Sequence, residues 1–456
     1  MDQAEAVTPI ADDTQPRRAS WREGLLVYLQ PRVLIVLLLG FSSGLPLALS
    51  GSTLLIWMRE AGVDLGTIGL FALVGTPYTL KFIWAPLVDA LHVPFLTRTF
   101  GRRRGWLVFS QLLLIAAIVF LAASDPARSP LMVAIGALLV AATSSTQDIV
   151  VDAFRVESLP ESEQAAGMAG YVAAYRIGML VSTAGALFLV SAIEQAGLPR
   201  GAAWMWGYIA MAVLVLIGTI TALAATEPAP SQQAEAATRD ERALARITKA
   251  AAGALTEFLQ RRDAWAALAF VVLFKFTDAF SGTMTAPFVI DLGFTRNDYA
   301  AIVKGVGLAA TLLGGFAGGF VARRYPLAAS LWIGGVLQAV ANLSFSWLAF
   351  VGVNQWALAF AITAENFTSA IGTVIFVAYL SALCRNPLHT ATQYALLTAL
   401  AAVGRTYLSS GAGYVAKATG WPVFFVICVL VAVPSLVVLA WLRRRGHFND
   451  LEAKRV

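Results

Sequence analysis

Ala142-Thr-Ser-Ser-Thr-Gln-Asp-Ile-Val-Val-Asp-Ala-Phe-Arg155 closes an apolar run that begins at Leu131. From Leu131 to Phe154 the run has the length of a helix that crosses a bilayer. Near its end it carries Gln147, Asp148 and Asp152, and the two aspartates, four residues apart, share one helix face. A carboxylate exposed to lipid costs roughly 2.5–3.5 kcal/mol on insertion scales, so such groups face a protein interior or a wet cavity. This span therefore reads as a helix lining a pathway rather than as an anchor.

The rest of the chain agrees. Hydrophobic residues make up 58% and charged residues 13% of the sequence, about half the charge of a soluble protein. Apolar segments fall at about 33–58, 66–88, 105–123, 131–154, 166–192 and 203–225, and again at 264–290, 299–322, 328–350, 355–382, 391–415 and 421–442. Each is long enough to span. The expectation is an all-α membrane protein of twelve transmembrane helices in two six-helix bundles. Residues 1–30 form a polar tail, 31–225 the first bundle, 226–262 a linker, 263–443 the second bundle and 444–456 a final tail. The tail lacks an apolar stretch directly after a basic start, which argues against a cleaved signal peptide. The linker, with Glu227-Pro-Ala-Pro-Ser and a charged Ala-rich run, is expected to be partly helical near 235–260.

Lys and Arg concentrate on one side of this scheme. Arg98, Arg102, Arg103 and Arg104, the linker from Arg239 to Arg262, Arg323, Arg324, Arg385 and Arg443 to Arg445 fall on the side of both termini. Only Arg59, Arg128, Arg200, Arg296 and Lys417 fall opposite. The positive-inside rule then puts both termini in the cytoplasm. It also accounts for the net charge of +6 without a nucleic acid. The cysteines, Cys384 and Cys428, are far apart, and the three histidines lie at span ends or in tails, so neither a disulfide framework nor a metal or other cofactor is expected. No nucleophile–base set suggests an enzyme.

The two halves resemble each other. Gly62-Val-Asp leads into the second span and Gly293-Phe-Thr into the eighth. Tyr175-Arg-Ile-Gly in the fifth matches Gly404-Arg-Thr-Tyr in the eleventh. Arg176 and Arg405 fall near the midplane at ~1.5 Å per residue, where two guanidiniums suit an anionic ligand. Glu365 and Asn366 fall at similar depth on the tenth span. Lys81 and Asp148 lie about seven or eight residues from the inner ends of their spans, which permits an ion pair that either fixes packing or serves transport. Lys275 and Asp278, three apart, share a face and suit an internal pair or a ligand contact. Lys304 lies nearer the outer end, where snorkelling competes with function. Gly44, within Gly40-Phe-Ser-Ser-Gly-Leu-Pro46, suits either a kink opening backbone groups to a cavity or close helix packing. Tyr78, Trp84, Tyr171 and Tyr175 suit stacking on sugar rings or core packing. A carboxylate that exchanges a proton needs an environment that changes with the transport cycle, and Asp148 and Glu365 are the candidates. Asp89, Arg102, Arg103, Asp152 and Arg155, at the inner span ends, suit ion pairs that clasp the cytoplasmic side.

Several stretches together resemble the AmpG muropeptide permeases of the major facilitator superfamily: Gly40-Phe-Ser-Ser-Gly-Leu-Pro, Lys81-Phe-Ile-Trp-Ala-Pro-Leu-Val-Asp, Gly101-Arg-Arg-Arg-Gly-Trp, Ser145-Thr-Gln-Asp-Ile-Val-Val-Asp-Ala and Tyr175-Arg-Ile-Gly-Met-Leu-Val. The likeness is dense in the first half and looser in the second, where Ala322-Arg-Arg324 lacks the acid of the family pattern. It implies the major facilitator fold and a monomeric inner-membrane symporter that imports anhydromuropeptides with protons for peptidoglycan recycling and, in some bacteria, β-lactamase induction. Gly44, Lys81, Gln147, Asp148, Asp152 and Arg176 fall in its characteristic segments. The competing expectation is carriage of another anionic conjugate, such as acetyl-CoA or a drug.

Overall fold

The computed structural model describes residues 27–228, 259–260, 263–384 and 390–452, apart from a few side chains, that of Asp89 among them. Among these residues eleven helices are long and apolar enough to cross a membrane. In chain order they are α1 (Pro31–Glu60), α2 (Leu65–Ile83), α3 (Arg102–Ala122), α4 (Pro130–Ser158), α5 (Ala166–Gln195), α6 (Arg200–Ala224), α7 (Ala264–Asp291), α8 (Arg296–Arg324), α9 (Leu327–Val351), α10 (Gln355–Leu383) and, last, α12 (Trp421–Arg444). Between the last two runs α11, Thr390–Tyr407 continued by Ala412–Thr419, which completes twelve. The expected linker helix lies outside the described residues. The face at which α1 begins and α12 ends is here the near face, and the opposite one the far face.

Local sequence sets the helix starts. Gly62 and Gly293 each adopt a left-handed φ, of 82° and 99°, which glycine accepts without strain. Two residues later Asp64 caps α2 through its carboxylate, and Thr295 forms a capping box with Asp298 at the start of α8. The repeat seen in the sequence is thus a repeated turn.

The second span is less regular than its hydropathy implies. Gly66, Gly69, Gly75, Pro77 and Pro86 break it into short pieces, with a tight 3-10 turn at Phe71–Gly75 and another at Lys81–Ile83. Three further helices crossing the seam also lose regularity: α5 at a wide π turn over Val181–Gly185, α8 at one over Tyr299–Val306, and α11 at a tight turn over Leu408–Gly411. In α1 the wide turn Leu49–Thr53 follows Pro46. Its freed groups are satisfied: Tyr208 donates to the Leu49 carbonyl at 3.1 Å and Ser50 to that of Pro46 at 2.8 Å. This is the condition for irregular backbone at membrane depth.

Small residues set the closest helix contacts. A Cβ on Gly44 would fall 2.1 Å from the Tyr175 carbonyl oxygen, and one on Gly314 2.3 Å from that of Phe367. These glycines bring α1 onto α5 and α8 onto α10. The apolar core is distributed unevenly. Toward the far face one continuous cluster joins both bundles, from Leu45, Ile56 and Trp204 to Phe280, Phe288 and Phe425. Toward the near face each bundle keeps its own cluster, around Val36, Leu107 and Phe154 in the first and Phe270, Leu331 and Tyr379 in the second.

Candidate functional site

A cavity of about 610 Å³ lies between the bundles, lined from α1, α2, α5, α7, α8, α10 and α11. Its wall carries Arg176 and Asp278, Lys304 and Glu365, and Arg405, together with Tyr78, Ser369 and Asn366. The irregular turns of α1, α2, α5 and α8 fall along its length. Volumes of roughly 300–1,000 Å³ are usual for small-molecule sites.

Arg176 of α5 and Arg405 of α11 are both exposed to this space. They line the same cavity from opposite bundles. Among the described residues neither side chain forms an ion pair or a hydrogen bond. Glu365 accepts from Asn366 Nδ2 at 2.8 Å, and Asn366 in turn accepts from Thr311 at 3.3 Å. Asp278 is held by Lys275 at 3.3 Å and Ser369 at 2.6 Å, while Lys275 also donates to Thr373 at 2.8 Å. Lys304, for which the sequence left snorkelling open, turns to the cavity with its ammonium 5.6 Å from the Tyr299 ring centre.

The remaining candidates sit behind the wall. Asp148 is 7% exposed, and its Oδ1 has no hydrogen-bond partner. Lys81 and Asp152 act on it through space, and it acts on Tyr78, Tyr171 and Tyr175. Among the described residues Lys81 and Asp148 form no direct ion pair. Gln147 donates to Ser43 at 3.2 Å, which ties α4 to α1. Gly44 and Tyr175 meet in the α1–α5 contact and do not line the cavity, and Lys275 lies behind Asp278.

At the near face Arg103 grips Glu157 through two bonds of 2.9 and 2.6 Å, and Arg102 reaches the same carboxylate at 3.5 Å. Glu227 accepts from the backbone N–H groups of Arg103 and Arg104 at 2.8 and 3.0 Å. Arg155 and Asp152 pair along α4 at 3.6 Å. All these bonds lie within the first bundle. The side chain of Asp89 lies outside the described residues. Sequence reasoning passed over Glu157 and Glu227 as partners, although each stands beside a span end facing the Arg102–Arg104 cluster.

The sequence matches the model of the Major Facilitator Superfamily over residues 36–408. It is 38% identical over 426 residues to the anhydromuropeptide permease of Escherichia coli, covering 93% of this chain and 82% of that protein. It is 33% identical to the putative transporter AmpG 4 of Rickettsia felis, covering 91% and 97% of the two chains. Among solved structures, a nucleoside transporter superposes with a TM-score of 0.68 at 12% identity over 91% of this chain and 99% of that one, a likeness of fold. The chain therefore belongs to the Major Facilitator Superfamily, as a multi-pass membrane transporter and not an enzyme. Within that superfamily its relatives are the AmpG-like permeases.

Proposed function

We propose that this protein is a proton-coupled symporter of the bacterial inner membrane that imports anhydromuropeptides from periplasm to cytoplasm for peptidoglycan recycling. The near face, with both termini, is cytoplasmic, as the Lys and Arg distribution supports. The observation that carries the reading is the pair of guanidiniums, Arg176 and Arg405, that face one cavity from opposite bundles with no partner among the described residues. Muropeptides bear carboxylates, which a guanidinium binds through two parallel hydrogen bonds. Asn366, Asp278 and Ser369 supply polar contacts for sugars and peptide, and Tyr78 adds ring surface to the wall. A ligand held by both bundles is released as they rock about it, the alternating-access scheme of this fold.

Asp148 and Glu365 are the proposed proton carriers, because each is a carboxylate without an ion-pair partner among the described residues. Lys81 acts on Asp148 through space, Gln147 ties α4 to α1 beside it, and Asp152, Arg155, Arg102 and Arg103 work with Asp89 at the cytoplasmic mouth. The test is uptake of labelled anhydromuropeptide into proteoliposomes. Accumulation that requires an outside-acid pH gradient is expected. A gradient that drives no muropeptide, while an acyl-CoA competes for the cavity, points to another anionic conjugate, which the same arginines would also bind.

A further inference from the structure

The far ends of the helices carry a second charged constellation, remote from the cavity's arginines. Arg59 at the tip of α1 pairs with Asp291 at the tip of α7. Glu60, the next residue of α1, pairs at 3.1 Å with Arg296, which opens α8, and Arg296 also grips Glu194 at the end of α5. One arginine of the second bundle thus holds two helices of the first. Adjacent residues of α1 offer opposite charges to opposite charges, so the pairing also fixes register.

The members are positioned for this task. Trp204 donates to Glu60 at 3.0 Å and lies 5.7 Å beneath the Arg296 guanidinium. Trp421 donates to Asp291 at 3.1 Å, and Arg200 balances Glu194 at 3.1 Å. Arg296 and Glu60 keep only 10% and 12% of their side-chain surface exposed, so solvent and salt screen the pair weakly. The exposed Lys417–Asp64 pair at 3.4 Å adds a rim to the same seam.

Three observations share a direction. The pairs Arg59–Asp291, Arg296–Glu60, Arg296–Glu194 and Lys417–Asp64 cross from one bundle to the other at the far face. At the near face Arg102–Glu157, Arg103–Glu157 and Arg155–Asp152 each join residues of the first bundle. Among the described residues the buried apolar cluster that joins the bundles lies on the far side.

We propose that Arg59–Asp291 and the shared Arg296–Glu60/Glu194 cluster form a latch that holds the far mouth shut and must release before the cavity can open to that face. The latch rests on the alternating-access reading above but not on the identity of the substrate. Its release is driven by differential interaction with the two states, as any such switch requires.

The test uses a reporter cysteine at Gly282, a cavity-lining position where a Cβ meets open space. It is placed in full-length protein carrying Cys384→Ser and Cys428→Ala, in membranes exposing only the far face to an impermeant maleimide. The latched protein labels slowly. Arg296→Gln, which cuts both carboxylates loose, raises the rate about tenfold, within the range of typical conformational couplings. Arg59→Asp alone does the same, and adding Asp291→Arg restores slow labelling by re-forming the pair in reverse. Ready labelling of the parent, or rates unchanged in Arg296→Gln and Arg59→Asp alike, overturns the latch. If Arg296→Gln does not accumulate in the membrane, the Arg59/Asp291 set decides alone, and failure of the swap to restore slow labelling then counts against the proposal. Because no substrate enters this assay, a failed muropeptide uptake experiment leaves its result standing.

Discussion

At the scale of single residues the two halves divide the work differently. Asp148 is buried beside three tyrosines without an ion-pair partner among the described residues, whereas Asp278 is engaged by Lys275 and Ser369. Asp148→Asn is expected to abolish gradient-driven accumulation in proteoliposomes while substrate counterflow persists. Unchanged concentrative uptake would remove Asp148 from the coupling role. Arg405→Lys keeps the charge but loses the planar fork, so KM for substrate should rise about tenfold or more with little change in kcat, a loss of a charge-assisted bond worth roughly 1.5–3 kcal/mol. At the far rim the Thr67 hydroxyl, donating to Asp64 at 2.5 Å, holds that carboxyl below its usual acidity range, with Lys417 assisting. A carboxyl with a depressed folded-state pKa contributes stability above its unfolded pKa and loses it as pH falls through the folded one. Amide exchange at Gly66 and Thr67, which Asp64 caps, should therefore stay slow down to about pH 4 and quicken below it.

At the scale of elements, glycine placement separates stability from motion. Gly44 lies inside the first bundle, against Tyr175, so Gly44→Ala is expected to destabilise by about 1–3 kcal/mol through overpacking, read as a lower melting temperature in detergent. Gly413 of α11 lies on the seam between bundles, where a Cβ would meet the Leu65 carbonyl oxygen of α2 at 1.8 Å. Gly413→Ala should instead pry α2 from α11, and the cavity reporter should label faster from the far face while the melting temperature changes less than in Gly44→Ala. The helices themselves were legible in the sequence because hydropathy is a local property. Their breaks were less so. The glycines and prolines of α2 announced its interruption, but nothing at Val181–Gly185 distinguishes a wide turn from a regular one until Thr53 of α1 is seen donating to the Ser182 carbonyl.

At the scale of the whole molecule, the duplicated architecture could be read from spacing alone, and the matched places of Arg176 and Arg405 in the two halves fit the cavity that both line. The latch could not, because Arg59, Glu60, Glu194, Asp291 and Arg296 are unremarkable span-end charges until packing joins four helices at one corner. The same limit explains Lys81: equal depth suggested contact with Asp148, but among the described residues the two form no direct ion pair, and Lys81 acts on Asp148 through space. The divided core carries a pharmacological consequence. In the proposed orientation the face where the halves are fused is the periplasmic one, so a blocker supplied from outside the cell meets a sealed wall for as long as this conformation persists. If the proposed import of wall fragments is the target, an agent has two routes: to engage the form open to the far face, or to permeate the membrane and wedge between the two lobes from the near face, where each keeps its own interior.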